Sequence, residues 1–302
     1  MPSSARSASA SSAGLSYDVV DVFADTAFTG NQLAVVHGTE GLTDAQLHAL
    51  TREFGFSETA FPAAGDGDRY RVRIFTPGGE IPFAGHPTLG TAWVLRAAGL
   101  ISGATATQEC GAGEIGVSFD GDLVELSAAA RDLAGPLPDE VVAALLDDLD
   151  LTPEDRTGEA WVAGAGLTFV HLPVRPEAVG WARAGRSPVH EVVTGLGLAD
   201  PLEGVNLYAL GGHEVRSRVF VPGLAVPEDP ATGSAAAGLG MALVASGRLP
   251  AGGSYEITQG VEMGRPSRLF GRVDVEGGVA TRCHVAGRVF PVARGTIAVP
   301  AP

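Results

Sequence analysis

The chain has little cysteine, little positive charge and no long apolar run, and each shortage removes a class of protein. Only Cys110 and Cys283 occur in 302 residues. Two thiols are too few for a disulfide framework, so free cysteines in a reducing cytoplasm are expected. Lys and Arg total 20 against 35 Asp and Glu, a formal net charge of −15. The clustered cations that bind nucleic acid or an anionic membrane are missing, so neither is expected as a partner. The longest apolar stretches are short or broken by a charge, as Arg96 breaks the run from Gly90 to Ile101, which predicts no membrane span. The seven histidines show no close ligand spacing such as H-E-x-x-H, and no metal is expected.

What the chain does have is core material. With 45% hydrophobic residues it suits one large or two medium domains. Residues 1–14, "MPSSARSASASSAG", are small and polar without the apolar centre of a secretory signal, and read as a disordered tail. Strand-like runs follow at "YDVVDVFAD" and "NQLAVVHG", parted by a turn at Thr29 and Gly30. "LTDAQLHALTREFG" predicts a helix with Thr43 as N-cap and Gln46 completing a capping box. After two more short strands, "SETAFPA" and "DRYRVRIFTP", comes "IPFAGHPTLGTAWVLRAAG". It passes from a polar turn into an alanine-rich helix, with Gly85 and His86 at the N-terminal edge and Pro87 in the first turn, where its missing N–H costs little.

That stretch recurs as "EDPATGSAAAGLGMALVASG". Aligning Gly85 with Gly233 brings Gly90 onto Gly238, Leu95 onto Leu243 and Gly99 onto Gly247, an offset of about half the chain. Two similar halves are predicted, each built round one buried helix, with a boundary where Ala, Gly and Pro cluster between Ala128 and Pro138. The start of a buried helix presents unpaired N–H groups and the positive end of the helix dipole. Two such starts facing one cleft would clamp an anion such as a carboxylate, each contributing roughly 0.3–2 kcal/mol. Singly, each glycine also fits a plain tight turn; its recurrence at a matched position favours the ligand reading. "GAGEIG", Gly111 to Gly116, imitates a dinucleotide-binding loop, but the strand-like "VSFDGDLVEL" follows where a helix should open, so no nucleotide is expected.

The pieces "DVFADTAFTGNQLAVV", "SETAF", "IPFAGHPTLGTA", "EDPATGSAAAGLG" and "QGVEMGRPS" together resemble the PhzF-like isomerase family of phenazine biosynthesis, in family order and over nearly the whole chain beyond the tail. The resemblance implies an α+β fold like that of diaminopimelate epimerase, with two pseudo-symmetric lobes, each a curled β-sheet round a central helix. The first lobe would take residues 15–130, completed by a last strand at about 288–302, and the second residues 131–287. It also implies a cytoplasmic homodimer that moves a proton between carbons of a small carboxylate-bearing metabolite without cofactor or metal. Trans-2,3-dihydro-3-hydroxyanthranilate is the family's best-known substrate. A pyrroline or cyclic amino-acid intermediate is an alternative, as is a binding protein without turnover.

Carried over by motif, the catalytic set is Glu58, His86, Asp229 and Ser234, with Asn31, Ser57, Gly85 and Gly233 binding substrate. Pattern alone leaves Glu58 a solvated strand residue, His86 a packing residue, and Asp229 and Ser234 helix caps. Gln32 departs from the proline of many members, which touches loop shape rather than the acid/base set. In related two-cysteine racemases a thiol precedes each helix-start glycine; here Ala84 and Thr232 stand there, and Cys110 and Cys283 read as buried structural thiols. Alkylating both cysteines under native conditions is therefore expected to leave turnover largely unchanged. Rapid inactivation that substrate prevents, with the fold intact, would contradict this.

Overall fold

The computed structural model describes residues 14–198, 201–222 and 227–302. The polar tail expected at 1–14 lies, but for Gly14, outside the described residues. Among these the chain is mostly β-strand with few helices, and no helix is long and apolar enough to cross a membrane.

The first half contains β1 (Leu15–Val22), β2 (Asn31–Val36), α1 (Asp44–Phe54), β3 (Thr59–Ala64), β4 (Arg69–Thr76), β5 (Gly79–Ile81), α2 (Gly85–Ala97), β6 (Thr105–Cys110), β7 (Gly113–Asp120) and β8 (Leu123–Ala129). The chain continues through β9 (Leu133–Ala134), α3 (Asp139–Asp148), β10 (Trp161–Gly164), β11 (Thr168–Pro173), α4 (Pro176–Trp181) and α5 (Val189–Val192). It ends with β12 (Leu202–Gly211), β13 (Glu214–Phe220), β14 (Glu228–Asp229), α6 (Gly233–Ala245), β15 (Gly253–Gln259), β16 (Ser267–Glu276) and β17 (Val279–Ile297).

Eight strands close a barrel in the order β1, β2, β3, β4, β6, β7, β8, β17 and back to β1. Helix α2 packs against β1, β2, β3, β6, β7, β8 and β17. A second ladder runs β9, β10, β11, β12, β13, β15, β16, β17, with α6 against β10, β11, β16 and β17. The last strand is longer than the sequence suggests: β17 pairs with β16 through its first half, with β8 in its middle and with β1 through Val289–Ile297. The two expected sheets are thus joined rather than separate. One apolar core also spans both halves, from Val20, Val22 and Leu89 to Ala236, Leu239 and Met241.

Sequence periodicity explains the helices that position the cleft. Helix α1 carries the expected capping box between Thr43 and Gln46 and ends at Gly55 in the left-handed conformation, a strong local stop. Helices α2 and α6 are apolar nearly all round, and the only unburied residues of α6 are Ser234 and Ala245; such helices belong in a core rather than on a surface. Gly238 sets how deeply α6 sits. A methyl there would lie 2.9 Å from the Ala163 carbonyl oxygen and 3.0 Å from His171 Nε2, closer than a packed interior accommodates.

His171, fully buried beneath α6, hydrogen-bonds through Nε2 to the Ala163 carbonyl at 3.3 Å and through Nδ1 to Asn206 Nδ2 at 3.1 Å. A neutral ring that donates at Nε2 and accepts at Nδ1 satisfies both contacts. Burial holds its pKa down at about 4, against the opposing pull of the Ala163 hydrogen bond. The unfolded chain therefore takes up a proton as pH falls through about 6.5, whereas the folded protein does so only near 4. Stability present above that window is lost within it, by up to about 3 kcal/mol from this group. His171→Gln, which keeps a donor and an acceptor, is expected to lose less stability than the wild type in urea unfolding between pH 7 and pH 4.5. Parallel losses in the two proteins would contradict this account.

Candidate active site

The two recurrent helices begin against each other. A methyl placed on Gly85 would lie 3.5 Å from Gly233 Cα and 3.7 Å from Ser234 N. Neither helix has a side-chain cap: the N-cap residues Ala84 and Thr232 make no capping hydrogen bond. The first-turn N–H groups that α1 satisfies internally are therefore left for another acceptor. A cavity of about 270 Å³ opens at this junction.

Seven of the eight residues expected from sequence line it: Ser57, Glu58, Gly85, His86, Asp229, Gly233 and Ser234. Asn31 stands behind the wall. Its Nδ2 donates to Asp229 Oδ1 at 2.9 Å and to the Ala231 carbonyl at 3.0 Å, so it positions Asp229 from the first half of the chain. Thr232 Oγ1 donates to the other carboxylate oxygen at 2.6 Å. Gln259 Nε2 bonds the Asp229 carbonyl at 2.8 Å and Thr232 Oγ1 at 3.1 Å. Asp229 and Ser234 therefore do not cap α6, although a cap is what their spacing suggests.

A further tie fixes the loop that carries Asn31. Arg265 donates to Asp21 Oδ1 at 2.6 Å and to the carbonyls of Thr29 and Gly30, both at 2.7 Å, while the Gly30 N–H bonds the Pro266 carbonyl at 3.1 Å. The "GRPS" segment thus holds the β1–β2 turn. Gly30, with φ of 67°, supplies a left-handed turn that glycine adopts without strain.

Glu58 precedes β3 directly and its side chain is 17% exposed; Glu58 Oε2 lies 3.6 Å from His86 Nε2. Neither atom has a hydrogen-bond partner among the described residues, nor has Ser57 Oγ. Buried polar atoms without partners are rare in folded proteins, and here three face one cavity. Burial raises the Glu58 pKa above the ordinary carboxylate value, with the neighbouring Ser57 acting in the opposite direction. Burial likewise pushes Asp229 up to about 6, the charge of Glu58 adding to the rise, while His86, Thr232 and Asn31 oppose it. His86 moves the other way: burial lowers it to about 4 despite Asp229 and a hydrogen bond to the Gln32 backbone. The site is a neutral imidazole between two carboxyl groups that titrate high, the arrangement that suits proton transfer near neutral pH.

Several lining residues have no sequence signal of their own. Thr76 ends β4 and Pro77 and Gly78 form the β4–β5 turn, Leu167 and Phe169 come from the edge of β11, Glu203 from β12 and Val221 from just after β13. Among the described residues that line it, none is Lys or Arg. The cysteines are elsewhere. Cys283 is fully buried and its thiol is pushed up to about 12, chiefly by burial. Cys110 is only half-buried, which corrects the expectation of two buried thiols: it ends β6 at a turn, with Sγ 3.5 Å from the Gly113 carbonyl.

Known proteins resemble this chain over most of its length. The sequence model of the family described as phenazine biosynthesis-like protein matches residues 20–137 and 204–295. A trans-2,3-dihydro-3-hydroxyanthranilate isomerase of Pseudomonas fluorescens is 34% identical, over 93% of this chain and 98% of its own length. Among solved structures, a predicted epimerase from Pseudomonas aeruginosa is 32% identical with a TM-score of 0.77, covering 94% of this chain and 99% of its own. A PhzF-family phenazine biosynthesis protein from Bacillus anthracis shares the fold at a TM-score of 0.81 and 21% identity, covering 94% of this chain and 98% of its own.

His86 offers a direct check on the electrostatics. Its ring carbon shifts, followed by NMR, are expected to show no titration between pH 8 and pH 5.5, the proton arriving only near 4. A midpoint near 6.5 would contradict a buried, neutral ring.

Proposed function

This chain belongs to the phenazine biosynthesis-like family and is an isomerase, and on that premise we propose that it moves a proton between two carbons of a small carboxylate-bearing metabolite. Glu58 carries the proton. The observation that carries this reading is the unpartnered Glu58 Oε2, 3.6 Å from His86 Nε2 in the cavity where α2 and α6 begin.

In this reading two pseudo-symmetric lobes, built round α2 and α6, hold the substrate carboxylate at the Gly85 and Gly233 helix starts, with Ser234 alongside. As the Glu58 carboxylate takes a proton from a carbon conjugated with that group, the electron pair left behind spreads through the double bonds onto the carboxylate. The helix-start N–H groups oppose the growing negative charge, stabilising the transition state more than the ground state. Glu58 then returns the proton to the far end of the conjugated system, so one C–H bond breaks, one forms and the double bonds shift. A carboxyl whose pKa burial has raised holds that proton long enough to deliver it. Neutral His86, 3.6 Å from Glu58, and high-titrating Asp229 flank the path of the proton without adding a full positive charge. No cofactor enters this scheme, because the conjugated acid itself accepts the electron pair. The name of the Pseudomonas fluorescens relative makes trans-2,3-dihydro-3-hydroxyanthranilate the first substrate to try.

Glu58→Gln, close in shape but unable to accept a proton, is expected to cut turnover by roughly 10²–10⁴-fold with folding and ligand binding nearly intact. Near-native turnover would remove Glu58 from the reaction. In D₂O the wild type is expected to form product carrying deuterium at the receiving carbon, or product with the original proton retained if the cleft shields it. Tight binding with neither isomerisation nor exchange, across dihydroaromatic and pyrroline acids, would contradict the proposed reaction.

A further inference from the structure

One lining residue belongs to no motif and takes no part in the proton transfer described above. Glu203 enters the cavity from β12 beside Phe169, Leu167 and Val221. In the parallel pairing of β11 with β12, Thr168 is opposite Leu202 and Phe169 is opposite Gly204. Glu203 is thus the extra residue of a β-bulge, a device that re-aims one side chain and is common next to active sites. The next residue permits it: a methyl on Gly204 would overlap the Phe220 carbonyl oxygen, 2.2 Å away.

The carboxylate so placed is half-buried and has no hydrogen-bond or ion-pair partner among the described residues. Burial raises its pKa, against the opposing charge of His190 on α5. Among the described residues, no Lys or Arg lines the cavity. A ligand that brings only a carboxylate adds negative charge to a site already holding Glu58, Asp229 and Glu203. A zwitterion brings its own compensation.

We propose that Glu203 is a specificity residue of this cleft, receiving the protonated amine of the ligand, so that the site selects small amino-carboxylates over amine-free acids of the same shape. The proposal rests on the reading that this cavity is the substrate site. A charge-assisted hydrogen bond from ammonium to a half-buried carboxylate separates the two ligand classes by about 10–100-fold in affinity.

The test is isothermal titration at pH 7.5 with matched pairs: proline against cyclopentanecarboxylate, and trans-2-aminocyclohexanecarboxylate against cyclohexanecarboxylate. Turnover of trans-2,3-dihydro-3-hydroxyanthranilate is measured in parallel. The wild type is expected to prefer the amine-bearing member by about tenfold or more. Glu203→Gln should abolish that preference by weakening the amine-bearing member while the other holds. Glu203→Asp, a second variant should the first fold poorly, should keep part of it. Equal affinity for both members in the wild type, equal weakening of both in Glu203→Gln, or binding of no member of either pair would overturn the proposal. An intact, Glu203-dependent amine preference without turnover of the dihydro acid would instead count against the proposed reaction and leave Glu203 in its role.

Discussion

Two buried helices start against each other, and the rest of the cleft depends on that contact. Where Gly85 meets Gly233, with a methyl on one only 3.5 Å from the Cα of the other, two sets of uncapped N–H groups converge without a cationic side chain among the lining residues. Each helix end adds a fraction of a positive charge that cannot be titrated away or swung out of reach. The price of the arrangement is a core of small residues, since α6 lies close enough to β10 and β11 that Gly238 has no room for a methyl. Burying both helices also buries the groups at their starts. Desolvation therefore moves His86 down to about 4 and Asp229 up to about 6 as a consequence of the packing.

Asp229 connects the two halves of the chain. Its oxygens are held by Asn31 from β2 and by Thr232 at the start of α6, and Gln259 at the end of β15 locks the backbone beneath them. Arg265 in turn fixes the β1–β2 turn through Asp21, Thr29 and Gly30. Three distant stretches thus determine one carboxylate, and its geometry survives only if both halves keep their register. β17 enforces that register by pairing with β16, β8 and β1 in succession.

Much of this was legible before folding. The repeat of Gly85 at Gly233 and the capping box of α1 are local patterns, and local patterns read well in a sequence; Glu58, His86, Asp229 and Ser234 stood out only through the family resemblance of their motifs. What pairing decides was not legible. Glu203 reaches the cavity only because β11 and β12 are parallel and slip by one residue, a relation between segments far apart in the chain. That Asn31 Nδ2 holds Asp229 and the Ala231 carbonyl likewise depends on how the two halves meet. Cys110 looks like an ordinary strand residue, but strand position alone does not say that β6 ends there at a half-exposed turn. The joining of two expected sheets likewise follows from the length of β17, whose alternation is broken at Gly287 and Pro291 and so reads as more than one strand.

The central claim is that a carboxylate docks on the paired helix starts. Backbone amide shifts recorded while benzoate or anthranilate is titrated into the protein test it most directly. The Gly85, Gly233 and Ser234 amide protons should move downfield together and saturate at one dissociation constant, because one anion accepts hydrogen bonds from both helices. Saturable binding that shifts other amides of the cavity and leaves these three unmoved would contradict the account.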